Sequence, residues 1–126
     1  MIHQIHTPID IDPPPYPHEM FAAKAVSRYF NMDVTFVKRS NTAKSADLKI
    51  QNKIWEIKSP IGDGKRTMQN NLRVADDQSP NIVINLVRCR MRPDKAISRI
   101  RHELNKANKI KHLLIVFKNG KVMVMK

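Results

Sequence analysis

Asp47-Leu48-Lys49-Ile50-Gln51-Asn52-Lys53-Ile54-Trp55-Glu56-Ile57-Lys58 decides how this chain folds and where its chemistry sits. Ala46 to Ile50 and Ile54 to Lys58 are short runs of alternating and β-branched residues around the polar Gln51-Asn52-Lys53, the pattern of a β-hairpin. A two-residue turn at Gln51-Asn52, with Asn52 accepting a positive φ, pairs Ile50 with Lys53 and sets Asp47 directly opposite Glu56. Side chains alternate faces along a strand, so Lys58 shares the Glu56 face while Leu48, Ile50, Trp55 and Ile57 point into a core. Directly opposed Cβ atoms stand roughly 4.5 to 5.5 Å apart. Two carboxylates that close repel unless a cation lies between them, the arrangement a hard ion such as Mg²⁺ requires. A three-residue turn would move Asp47 opposite Ile57 and dissolve the constellation. On the two-residue reading, Asp47, Glu56 and Lys58 line a solvated face, and replacing any of them is expected to spare the fold.

Downstream lies Ser59-Pro60-Ile61-Gly62-Asp63-Gly64-Lys65-Arg66-Thr67, which holds two of the chain's three glycines and leads into a helical pattern. Glycines, two cations and a hydroxyl at a helix start suit a phosphate, because free N–H groups and the positive dipole end face it. The spacing is not that of a Walker A loop, which removes nucleotide hydrolysis. The 23 Lys and Arg against 11 Asp and Glu give +12 at pH 7, which implies a polyanionic partner. Nucleic acid fits better than a membrane, since there is no long basic amphipathic helix and no membrane-length apolar run. Cys89 is the lone cysteine, which excludes an intrachain disulfide and a multi-cysteine zinc site and suggests a buried thiol in a reducing compartment. No hydrophobic signal segment leads the chain.

Residues 1–17 hold His3, His6 and five of the eight prolines without periodicity, and read as an extended or disordered lead-in joining an upstream part to a domain over 18–126. Within that domain the patterns predict a helix over His18–Asn31, a strand over Asp33–Lys38, a polar loop over Arg39–Ser45, the hairpin, and a helix over Lys65–Gln78. They continue with a strand buried on both faces over Asn81–Val87, a helix over Pro93–Ala107, and two strands over Lys111–Val124 around a type I′ turn at Asn119-Gly120. The order is αβββαβαββ, an α/β fold on a mixed sheet.

A helix, a three-stranded meander with Asp on its second strand and Glu-x-Lys on its third, a helix and a further strand resemble the PD-(D/E)XK nuclease superfamily. The longer string Trp55-Glu56-Ile57-Lys58-Ser59-Pro60, with Gly64-Lys65-Arg66-Thr67, Asn71-Leu72-Arg73, Gln78-Ser79-Pro80-Asn81 and Leu113-Leu114-Ile115-Val116, is similar to the C-terminal tRNA-nuclease domain of CdiA-type contact-dependent growth-inhibition toxins. Ala46 replaces the proline of the superfamily pattern, and the hairpin turn lacks a glycine. The resemblance implies a PD-(D/E)XK-like mixed central sheet flanked by helices and an endonuclease cleaving RNA, most specifically tRNA. It implies Mg²⁺ or another divalent metal on Asp47, Glu56 and the Ile57 carbonyl, and Lys58 positioning the nucleophile. Glu19 matches a further superfamily carboxylate, although a first-turn acid also suits the helix dipole. Thr67 belongs to the catalytic set on this reading, while Lys65, Arg66, Arg73 and Lys49 contact nucleic acid. The resemblance further implies a cognate immunity protein, expected to be acidic, and the C-terminal part of a secreted or cell-surface toxin delivered into the target-cell cytoplasm.

Competing readings are a DNA-cleaving enzyme of the same superfamily, a basic module that binds nucleic acid without cutting it, and a metal-free ribonuclease using the 2′-hydroxyl with His102 or His112. A pure binder gains nothing from acids placed against phosphates. Between RNA and DNA the residues alone do not discriminate.

Overall fold

The computed structural model describes residues 3–8, 14–37 and 47–126; Ala46 and the expected loop over Arg39–Ser45 lie outside them. The described elements are β1 (Ile5–His6), α1 (Pro17–Phe30), β2 (Val34–Val37), β3 (Asp47–Ile50), β4 (Lys53–Lys58), α2 (Thr67–Gln78), β5 (Asn81–Asn85), α3 (Pro93–Leu104), β6 (His112–Val116) and β7 (Val122–Val124). Among these residues the strands form a single seven-stranded mixed sheet in chain order. β1 runs parallel to β2, β2–β3–β4 is an antiparallel meander, β4, β5 and β6 are mutually parallel, and β7 returns antiparallel to β6.

The predicted order therefore gains one leading strand. β1 is two residues long, too short for periodicity, and it is held by side chains. Asp33 accepts the Gln4 N–H at 2.8 Å and meets His6 Nε2 at 3.1 Å, while His3 Nε2 lies 2.8 Å from Asn31 Oδ1. Part of the expected lead-in is thus an edge strand.

α1 starts with Pro17 at a first-turn position, where proline's missing N–H costs nothing. It stops at Asn31, whose φ of 58° is the left-handed conformation asparagine tolerates. Ala22, Ala23, Ala25 and Val26 are buried, and these small residues let the helix lie close to the sheet. α1 touches β1 and β2 at one side of the sheet and β6 and β7 at the other, so the sheet curls around it. The core on this face includes Phe36, Leu48, Trp55, Ile57, Val83 and Leu114. On the opposite face α2 and α3 pack Met68, Leu72, Ala75, Ala96 and Ile100 onto Ile82, Ile84, Leu113 and Ile115. No described helix is long and apolar enough to cross a membrane.

Both turn expectations are refined. The hairpin has its two-residue turn, but Gln51 takes the positive φ of 56°, not Asn52. At the C-terminal hairpin only Gly120 has positive φ, at 85°, which excludes type I′. Gly120 N–H donates to Phe117 O and Phe117 N–H to Lys121 O, each at 2.9 Å, which closes a three-residue loop with glycine in the left-handed position.

Candidate functional site

The register over the hairpin is Asp47 with Glu56, Leu48 with Trp55, Lys49 with Ile54 and Ile50 with Lys53, as the two-residue turn requires. The row does not end at the hairpin. Glu56 pairs onward with Ile82, and Ile82 with Leu113, both of which lie beneath α2 and α3. Asp47 is only 6% exposed and Glu56 0% exposed, which corrects the expectation of a solvated face. The acids occupy the same sheet face as Lys58, as expected. Lys58 Nζ lies 3.4 Å from Glu56 Oε1, with the lysine side chain 16% exposed. Buried charges need such pairing, because dehydration is otherwise costly.

Lys58 is the link between this pair and the surface. It lines a cleft of about 370 Å³ with Tyr16, Pro17, His18, Glu19, Ile57, Ser59 and Arg88. The cleft lies beyond the carboxyl end of β4 and beside the residues that follow β5, the usual place for ligands in sheets with parallel strands. Asn85, fully buried at the end of β5, fastens its wall: its Nδ2 donates to His18 O at 2.9 Å and to Ser59 Oγ at 3.4 Å. Glu19 reaches the cleft, and its Oε1 accepts the Tyr16 N–H at 2.9 Å, so it anchors the first turn of α1. Among the described residues no group of three or more His, Cys, Asp or Glu side chains is arranged to hold a metal. Ile57 buries its side chain in the opposite core.

The sequence reading missed His18 and Arg88. Burial holds the His18 ring below its ordinary pKa, Arg88 pushes in the same direction, and Glu19 opposes them. The alternation Arg88-Cys89-Arg90-Met91-Arg92 directly after the most buried strand was the available signal. His102 and His112 are both exposed and neither lines the cleft.

Between β4 and α2 the glycine loop closes on Thr67. A Cβ on Gly62 would stand 3.0 Å from Thr67 Oγ1, so the missing side chain permits that approach. Thr67 N–H donates to Gly64 O at 3.2 Å, which starts α2 two residues later than the pattern predicted. Lys65 and Arg66 are exposed, and Arg99 Nη1 donates to Lys65 O at 3.3 Å. Cys89 is buried with its Sγ 3.4 Å from Gly62 O. Arg73 is not brought to the cleft; it lines a separate cavity of about 200 Å³ with Asp76, Asp77, Glu103 and Lys106. Lys49 is exposed on the Asp47 face, two residues along the strand.

Residues 44–122, more than half the chain, match the family model described as the contact-dependent growth inhibition CdiA C-terminal domain. The chain belongs to this family. It is a CdiA C-terminal toxin domain, and so a toxin of contact-dependent growth inhibition. Its fold is similar to a chain of the "CdiA-CT/CdiI toxin and immunity complex from Burkholderia pseudomallei", with a TM-score of 0.63 over 98% of both chains at 17% sequence identity. No curated protein sequence matches it. The family match begins just before β3 and spans the β3–β4 hairpin, the glycine loop, α2, β5, α3 and β6, so it covers the whole candidate site except the residues at the start of α1.

Proposed function

We propose that this toxin domain is an endonuclease of the PD-(D/E)XK type that cleaves phosphodiester bonds in RNA, with tRNA as its target. The observation carrying this reading is the pairing of Asp47 with Glu56 on the face shared by Lys58, with Lys58 reaching the cleft. A binding module would gain nothing from two buried acids, which cost stability to dehydrate and repel phosphate. The donor set suits a divalent ion such as Mg²⁺: hard carboxylate oxygens, directly opposed across the hairpin, with Lys58 beside Glu56. Asp47, Glu56 and the Ile57 main-chain carbonyl would hold it, and when bound it supplies an acidified water and charge neutralisation. Lys58 draws the scissile phosphate to the cleft and orients the nucleophile through a compact ammonium. Thr67, Lys65 and Arg66 receive neighbouring phosphates at the start of α2, and Glu19 acts by fixing the first turn of α1. Arg73 and Lys49 extend the basic surface away from the cleft.

The decisive experiment incubates the domain with plasmid DNA, total RNA and purified tRNA, with Mg²⁺ or with EDTA. Cleavage of tRNA that disappears in EDTA and in Glu56→Gln is expected. Cleavage of plasmid alone would move the substrate to DNA, full activity in EDTA would remove the metal, and tight binding without cleavage would leave a basic binding module.

A nuclease toxin endangers the cell that makes it, and the Burkholderia pseudomallei relative is described with a CdiI immunity protein. We propose a cognate immunity protein for this chain, acidic where it meets the cleft. A net charge of +12 accelerates association with such a surface. Its on-rate should fall steeply with added salt, and a salt-independent on-rate would refute charge complementarity.

A further inference from the structure

The cleft wall contains a feature that phosphate chemistry leaves unexplained. Tyr16 and His18, at the start of α1, stack face to face with centroids 5.6 Å apart and planes 9° from parallel. Tyr16 remains 49% exposed, so its ring is not serving the core. Both rings line the same cleft as Lys58 and Arg88. We infer that this cleft receives one unpaired nucleotide of single-stranded RNA, its base laid against the Tyr16–His18 rings and its phosphate held between Arg88 and Lys58. This assignment deepens the nuclease reading and rests on it for the choice of RNA.

Three physical arguments carry it. Flat aromatic surface beside cations is the arrangement by which proteins hold unpaired bases, because every base has a π-face and every nucleotide a phosphate. In a duplex both faces of each base are covered by neighbours, so the rings could act only on a base that has left its stack. The cleft volume of about 370 Å³ lies at the small end of ligand pockets, the scale of one nucleotide. Burial and Arg88 also favour the uncharged His18 ring, leaving the cationic role to Arg88 and Lys58.

The test uses the intact domain carrying Glu56→Gln, so that RNA survives, and a short single-stranded RNA containing one 2-aminopurine. Binding should quench the probe by stacking, and the same oligonucleotide in duplex form should compete poorly. Adding Tyr16→Leu should weaken binding about 5- to 150-fold, the factor equivalent to losing one stacked base, and abolish the quench, while Tyr16→Phe retains both. Arg88→Gln, at an exposed position, should weaken binding and leave the quench at saturation. A folded Tyr16→Leu variant that binds and quenches like its parent would overturn the inference, as would equal competition by the duplex. Failure of the wild-type domain to cleave RNA, with the Tyr16-dependent quench intact, would remove the nuclease reading and keep the nucleotide site. Cleavage without any quench would do the reverse.

Discussion

Lys58→Met tests whether the buried Glu56 depends on its lysine. Glu56 is fully buried, Asp47 nearly so, and the Lys58 ammonium lies 3.4 Å from Glu56 Oε1. With the lysine only 16% exposed, solvent screening is weak, and the value for breaking a buried pair applies, about 3 to 5 kcal/mol. For a domain of this size each kcal/mol moves the melting temperature by roughly 3 to 4 °C, so the variant should melt roughly 10 to 20 °C lower. That is a large share of the roughly 5 to 15 kcal/mol that holds a typical domain folded. The double variant Glu56→Gln with Lys58→Met removes both charges of the ion pair and should recover much of the loss. A divalent cation at about one hundred times its dissociation constant should restore about 2.7 kcal/mol to Lys58→Met, because it becomes the countercharge. Circular dichroism melts of all three proteins, in Mg²⁺ and in EDTA, give the comparison. A Lys58→Met loss below about 1 kcal/mol, the value of an exposed pair, would show that the buried Glu56 does not depend on this lysine and would refute the reasoning. It would also restore the simpler expectation that the lysine can be removed without touching the fold.

Trp55→Ala should fail through stability. Trp55 is 6% exposed and packs 5.7 Å from the Phe30 ring centroid, so truncation should cost about 3 to 5 kcal/mol; an unchanged melting temperature would place it outside the core. Asp33 predicts an acid-sensitive edge: the Gln4 N–H first and His6 second hold its carboxyl below the ordinary value of 3.8. A depressed carboxylate stabilises the fold above its unfolded pKa and loses that contribution as pH falls through the lower folded value. Amide exchange at Ile5 and His6 should therefore accelerate below about pH 4 relative to the β5 amides, and Asp33→Asn should show the faster exchange already at neutral pH; protection unchanged by either would mean that Asp33 does not hold β1.

The hairpin register was legible because a two-residue turn and a period of two leave a single face for Asp47, Glu56 and Lys58. Their burial was not. It is set by tertiary packing, since Glu56 pairs onward with Ile82 on a strand placed far along the chain. β1 escaped detection because two residues carry no periodicity and because its anchor, Asp33, lies 29 positions from the Gln4 amide it accepts. Glu19 was legible as a first-turn acid, and its bond to the Tyr16 N–H is the local contact expected of one. His18 and Arg88 share no sequence neighbourhood; the buried Asn85 between them, bonded to the His18 carbonyl, makes them walls of one cleft.

Burial of the acids also resolves an electrostatic conflict in the proposed mechanism. A polyanion approaching the domain is drawn by its +12 charge, yet two exposed carboxylates in the cleft would repel phosphate at the point of reaction. Here the acids lie behind Lys58, and the charges that line the open cleft include Arg88 and Lys58 as well as Glu19, whose carboxylate is engaged by the Tyr16 amide. At cellular ionic strength, fields fade over about 8 Å, so an incoming phosphate responds chiefly to the groups at the cleft surface. It would come under the influence of Asp47 and Glu56 only after reaching Lys58. The low dielectric around the pair strengthens every interaction made there, which favours a charge arrangement set before the substrate arrives. On this reading the packing that buries Asp47 and Glu56 is part of the site, and the lysine at their edge joins that charge to the nucleic acid.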